Sequence, residues 1–143
     1  MGKSIAFSNA LLALIFNGTP IANIADNAAA SPLGDLYVAL HTADPGNAGN
    51  QTTSEAAYGS YARVPVARTS GGWTISQNFA DAANNIVFPT PTGSPQTLTF
   101  FSVGTQESGA GMILYSGELA SPINATVGIA PILTAAITMV EET

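Results

Sequence analysis

The chain has 143 residues, 46% hydrophobic and only 8% charged, with three basic side chains against nine acidic ones and a formal net charge of −6. That length and apolar content fit one domain with a real core, and Lys3, Arg63 and Arg68 cannot build a phosphate-gripping surface, so nucleic acid is excluded as a partner. With no cysteine, disulfides, thiolate nucleophiles and cysteine-held metals are ruled out. Charge far below the roughly 25% of ordinary soluble domains marks an assembly component, its surface covered by partners or rich in neutral polar residues.

In chain order, the first element is an amphipathic helix. Ser4 is its N-cap, and Phe7, Leu11, Leu14 and Ile15 fall at i, i+4, i+7 and i+8 on one face. Gly18-Thr19-Pro20 supplies the stop. The apolar run Leu11 to Phe16 is too short for a membrane span, which needs about 20 residues. Lys3 makes a thin positive region and the residues near Ala25 a poor cleavage site, so a docked helix is expected rather than a leader. Met1-Gly2 followed by Ala6 lacks the hydroxyl of an acylation motif. Residues 17 to 35, with weak periodicity at Ile21, Ile24 and Ala28 to Ala30, read as a connection lying on the surface or on a neighbouring subunit.

Residues 36 to 143 read as the β core. Leu36, Val38 and Leu40 alternate with Tyr37, Ala39 and His41, the pattern of a strand with one buried face, and Asp44-Pro45-Gly46 ends it in a turn. A soft polar loop runs to Ser54, with a short turn of helix over Ser54 to Tyr58, and a strand returns over Tyr61 to Ala67. Pro65 assigns that strand to a sheet edge or a bulge. Trp73–Ser76 is the next strand, Phe79 to Ala83 a connector, and Asn84 to Phe88 another strand stopped by prolines. Gln96 to Val103 and Met112 to Leu119 form a hairpin around the glycines of Glu107 to Gly111. Thr126 to Ile129 and Ala135 to Val140 complete the set. Strands at about 8–12-residue spacing predict a mainly β fold, an antiparallel β-sandwich or jelly-roll-like domain with one N-terminal helix.

The search for chemistry is short. His41 is the sole histidine, and only Asp44 lies near it in sequence, so it reads as a strand-end residue bonding a loop backbone rather than a ligand or a base. Asp26, Asp35, Asp44, Glu55, Asp81, Glu107 and Glu118 are scattered singly, mostly in turns, where carboxylates shape turns or face solvent. No nucleophile elbow, zinc-binding helix, phosphate loop or calcium loop appears, and no cofactor is implied. Three Asn-x-Thr triplets, beginning at Asn17, Asn50 and Asn124, are expected by chance in a chain this rich in both residues. With charge so sparse, Arg63 and Arg68 are expected to have defined partners, one of them crossing a subunit interface to Glu55 or Asp44.

Leu36-Tyr37-Val38-Ala39-Leu40-His41-Thr42-Ala43-Asp44-Pro45-Gly46, with Glu55 and Tyr61-Ala62-Arg63-Val64 after it, resembles a family of small tailed-bacteriophage virion proteins. That family follows an N-terminal helix with a Tyr-Val-Ala-Leu-His-Thr-x-Asp-Pro-Gly strand and turn, a Glu, and a Tyr-Ala-Arg strand. Asn84 to Pro89 and Leu114 to Leu119 resemble its later strands, while Phe100 and Phe101 stand where the family has a His-centred pattern. Members are often labelled tail fibre or minor structural proteins, and small phage β-domains also act as capsid cement.

The resemblance implies a non-enzymatic virion protein. The first expectation is a capsid cement or decoration protein on the capsid surface, partnered by the major capsid protein and by itself, as a homotrimer or a dimer. Phe7, Leu11, Thr42, Asp44, Glu55, Tyr61, Arg63 and Arg68 are the candidate interface residues. The alternative is a tail-associated fibre or receptor-binding component contacting host glycans through Trp73, Tyr58 and Tyr61. A small glycan hydrolase with spatially paired carboxylates ranks last, its motifs being absent.

Overall fold

The computed structural model describes residues 2–17, 19–26, 33–135 and 138–141. In order they form β1 (Gly2–Lys3), α1 (Ile5–Asn17), β2 (Asp35–His41), β3 (Val64–Ala67), β4 (Trp73–Ser76), β5 (Phe79–Ala82), β6 (Ile86–Val87), β7 (Gln96–Gly104), β8 (Ile113–Ala125), β9 (Ile132–Leu133) and β10 (Thr138–Glu141). All the strand pairings are antiparallel. A five-stranded sheet runs β1-β8-β7-β2-β3, beside a three-stranded sheet β10-β5-β4 and a two-stranded β6-β9 pair. The architecture is that of a β-sandwich with one N-terminal helix.

The main core lies between the sheets. Val38 and Leu40 of β2, Leu98, Phe101 and Val103 of β7, Trp73 and Ala82 of the small sheet, and Ile86 and Phe88 form one buried cluster. A second cluster joins Phe7 of α1 to Ile21 and Leu114, with Ala10, Leu11 and Leu14 packed against it. A β-bulge makes that contact: the register passes from Val103↔Tyr115 to Gly104↔Ile113, so Leu114 is an extra residue, re-aimed toward the helix.

Several expectations hold on physical grounds. Ser4 caps α1, its Oγ accepting from the Phe7 N–H at 3.1 Å and donating to the Ile113 carbonyl. Pro65, which has no N–H to give, sits on β3 at the sheet edge, in register with Tyr37. The strand at Trp73–Ser76 lies where it was expected, and the β7–β8 hairpin forms, but β8 runs on to Ala125, past the expected end at Leu119.

Others are corrected. Phe79–Ala82 is a strand, not a connector: Gln77-Asn78 makes a two-residue hairpin turn with Gln77 at φ +56°, pairing Ser76 with Phe79. Thr126 to Ile129 is a turn, with Gly128 at φ +85° and the Ile129 N–H bonded to the Thr126 carbonyl; the strand comes after Pro131. Ser54 to Tyr58 forms no helix, because its backbone returns beside β2, the Ala56 N–H reaching the Leu40 carbonyl at 2.8 Å. Ile15 points outward, since the buried arc is Phe7, Ala10, Leu11 and Leu14 and the next position turns away from it. The strand expected over Ala135 to Val140 begins at Thr138, and its residues 136–137, like Gly18 and Ala28 to Ala30, lie outside the described residues.

Candidate functional site

The organising feature is the second face of β2. Alternation predicts one buried face, yet Val38, Ala39, Leu40 and His41 are all fully buried. The Thr42-to-Ser54 loop covers the other side. Asp44 Oδ1 accepts from the Gly46 N–H at 2.8 Å, Gly46 takes φ +71°, and the chain turns back until the Thr42 N–H meets the Ser54 carbonyl at 2.8 Å. Instead of a soft loop this is an ordered plug, also held at the helix, where the Ile5 N–H bonds the Asn47 carbonyl at 2.8 Å.

Gln51 is the plug's buried tip. Its Nε2 donates to the Tyr37 carbonyl at 3.2 Å, and its Oε1 accepts from the Gln106 N–H at 3.0 Å. Its own N–H donates to the Gly111 carbonyl at 3.0 Å. A Cβ on Gly104 or Gly111 would run into the Gln51 amide, so a side chain at either position displaces Gln51 from its hydrogen bonds. Beside it, His41 Nδ1 lies 2.9 Å from the Thr53 carbonyl, the expected loop-backbone contact. A carbonyl only accepts, so Nδ1 carries the proton, and Nε2 accepts from the Ser102 hydroxyl at 2.8 Å. Burial pulls the His41 pKa below its ordinary 6.5, and the Thr53 bond opposes that less strongly.

Arg63 closes the network. Its Nε and Nη2 grip Glu55 Oε1 and Oε2 at 2.6 and 2.9 Å, while Nη1 and Nη2 donate to the Gln106 and Gly109 carbonyls at 2.8 and 2.7 Å. Tyr61 donates to Glu55 Oε1 at 3.1 Å and accepts from the Leu40 N–H at 3.1 Å. The side chains of Arg63 and Glu55 are 2% and 16% exposed. One buried ion pair therefore ties β2, the loop, the segment before β3 and the tip of the β7–β8 hairpin together. Burial drives the Tyr61 hydroxyl far above the ordinary phenol range and pushes that of Tyr58 up to about 12, so neither ionises near neutrality.

These contacts place the eight candidate interface residues. Glu55, Tyr61 and Arg63 come together, but inside the chain. Arg63 takes Glu55 of its own chain because the loop delivers that carboxylate beside it. Arg68 donates to the Leu33 and Ile24 carbonyls at 2.9 and 3.2 Å, fastening the ends of the segment between them. Phe7 and Leu11 belong to the helix–sheet cluster. Only Thr42 and Asp44 are exposed. Gln51 and Ser102, central to the network, carry no sequence signal that separates them from other neutral residues.

The arrangement has little to offer catalysis. His41 has both nitrogens engaged, Glu55 is neutralised, and among the described residues no group of histidines and carboxylates is placed to hold a metal. An aromatic glycan platform does not form from the expected residues either. Tyr58 is buried, donates to the Pro89 carbonyl at 3.0 Å and packs edge-on against Tyr61, which stacks on Phe88. Trp73 is 9% exposed and faces the core; its Nε1 has no hydrogen-bond partner among the described residues. It forms part of the wall of an 830 Å³ cleft between the large and small sheets, with Leu36, Phe79, Val103, Tyr115 and Val140.

The chain also presents large apolar side chains outward. Ile5, Leu12, Ile15 and Phe16 project from α1, Phe16 being 78% exposed. Val87 and Ile132, cross-strand partners on the β6–β9 pair, are exposed, as are Val127 and Ile129. No residue from Leu119 to Val140 is charged, so this second patch lies in an electrically neutral stretch of chain. Among the described residues no helix is long and apolar enough to cross a membrane.

Comparison with known proteins supplies the remaining observation. The family described as podophage GP4 fiber I protein gp80 matches residues 2–139. No curated protein matches the chain.

Proposed function

The chain belongs to the podophage GP4 fiber I protein gp80 family and is a phage structural protein; from that premise we propose that it is a non-catalytic building block of the fibre. It acts as a rigid β module joining neighbouring virion subunits through neutral, apolar surfaces. The observation that carries this reading is a division of labour. The Arg63–Glu55 pair and His41 are held by hydrogen bonds inside the molecule, while several large aliphatic and aromatic side chains face outward. Exposed apolar patches of this kind mark association sites.

A capsid cement role, with the major capsid protein as partner, is the second reading. It is favoured by the low charge and by exposed apolar side chains both on α1 and on β6–β9, which suit a protein clamped between subunits. Copies of the chain per purified particle, measured by quantitative mass spectrometry against the major capsid protein, separate the two. A handful, in multiples of the fibre's symmetry, is the expected result. On the order of a hundred or more copies would transfer the chain to the icosahedral shell, and none would remove it from the particle.

A further inference from the structure

The large and small sheets leave a cleft of 830 Å³ between them, walled by Leu36, Val103 and Tyr115 on one side and by Trp73, Ile75 and Val140 on the other. That volume lies in the range of about 300–1,000 Å³ typical of binding sites. Trp73 is only 9% exposed, yet its indole N–H has no acceptor among the described residues, and a buried donor left unpaired costs stability. Arg68 is the charged residue on the wall, and the Leu33 and Ile24 carbonyls already take its guanidinium. The cleft suits an uncharged, apolar occupant that brings an acceptor oxygen.

One wall of this cleft is also a free strand edge. β4 ends the three-stranded sheet and is bonded to β5 alone. The Ala83 N–H reaches the Gly72 carbonyl at 2.9 Å, so Gly72, Thr74 and Ser76 direct their backbone groups at β5, and Trp73 and Ile75 direct theirs away. The Trp73 N–H goes to the Thr69 carbonyl at 3.0 Å, while the outward N–H and carbonyl of Ile75 meet no partner strand among the described residues. Ile75 is 69% exposed, and its side chain shares the face of Trp73 because successive side chains alternate. A strand laid along this edge sets every second side chain on that same face, toward the cleft.

We propose that β4 and the cleft together bind an extended, uncharged, apolar segment of another virion protein, added as a fourth strand of the small sheet. The open N–H and carbonyl of Ile75 select a peptide over an aliphatic or sugar ligand, neither of which continues a β ladder. A Thr, Asn or Gln on the inward face of the segment supplies the oxygen that Trp73 Nε1 lacks. The net charge of −6 and the absence of a free cation on the wall favour a neutral segment over an acidic one. A second copy of this chain is a poor donor, because each described strand is already paired in its own molecule and has to leave its sheet to be lent. The inference rests on the reading of the chain as a module that joins virion subunits. A particle without the chain sinks that reading whatever the segment does, and a cleft that takes no segment sinks this site whatever the copy number.

Trp73 is the sole tryptophan, so its fluorescence and its indole N–H resonance report on the cleft directly. The probes are overlapping synthetic peptides that cover the other proteins of the purified particle, titrated into the full chain. An uncharged apolar peptide is expected to bind saturably, shift the emission of Trp73 and move its indole resonance. Methylating alternate backbone nitrogens of that peptide separates strand addition from simple apolar contact. The set facing β4 is expected to weaken binding roughly tenfold, and the set facing away to leave it in place. Ile75→Pro removes the outward N–H without touching the β4–β5 ladder, and is expected to weaken binding with the circular dichroism unchanged. Val87→Thr with Ile132→Thr, away from the cleft, is expected to change nothing. The proposal is overturned if no peptide moves the Trp73 signals, if the two methylated sets bind alike, or if peptides of this chain alone bind. Octyl glucoside, a neutral amphiphile, entering the cleft where every peptide fails overturns it as well.

Discussion

Arg63 brings a full positive charge to a position where its side chain is 2% exposed, and the arrangement is tolerable only because Glu55 and two carbonyls take its donors. Replacing it with Met strands the Glu55 carboxylate and frees the Gln106 and Gly109 carbonyls. A loss of about 3–5 kcal/mol is expected in denaturant unfolding, partly recovered by adding Glu55→Gln. His41 has a pH signature. Its folded pKa lies below the ordinary 6.5, so above that value the ring is neutral whether the chain is folded or not. Below it the unfolded chain takes up a proton that the folded chain refuses, and stability falls until the depressed folded pKa is reached. Unfolding free energies measured from pH 7 downward should decline through this window, and His41→Asn should remove that part of the slope. A wild-type curve with the same slope as the variant would refute the assignment of a neutral buried ring.

At the scale of elements, α1 stands on a short and polar foothold. Ser4 serves both as N-cap and as donor to Ile113 on β8, so one hydroxyl starts the helix and fastens it to the sheet. Ser4→Ala is expected to lower stability by about 1–2 kcal/mol. Amide exchange should quicken in Ile5 to Ser8 more than in β2 or β7, which are held by the main core. Equal acceleration throughout would mean that the helix and the sheet open as one unit. The two apolar sides of α1 are an element-level fact of the same kind: one side packs on the sheet, and the other faces outward.

For the molecule as a whole, a few polar groups and a few apolar ones have exchanged their usual places. The Arg63–Glu55 pair and His41 are sealed beneath a loop, and hydrophobic side chains project from the helix and from the β6–β9 pair. An isolated soluble domain gains little from that exchange, whereas a subunit that buries its exterior against neighbours gains cohesion from it. Membership in a fibre family and the expected low copy number per particle belong to this scale.

Much of the β framework was legible in the residues themselves. The strand over Leu36 to His41, though buried on both faces rather than one, the Asp44-Pro45-Gly46 turn, Ser4 before an apolar period and Pro65 at an edge depend on neighbours a few positions away, and each recurs in the structure. The low charge and the missing catalytic motifs likewise came from composition and spacing alone. Tertiary structure decided the rest. Phe79–Ala82 became a strand because β4 and β10 were there to pair with it, and Ile15 faced outward because the sheet accepts only one arc of the helix. Gln51 found Gly104 and Gly111 from more than fifty positions away, and Arg63 found Glu55 inside its own chain rather than in a neighbour. Residue type states that a buried glutamine or arginine needs partners; which partners it meets is settled by chain closure over distances that no local pattern encodes.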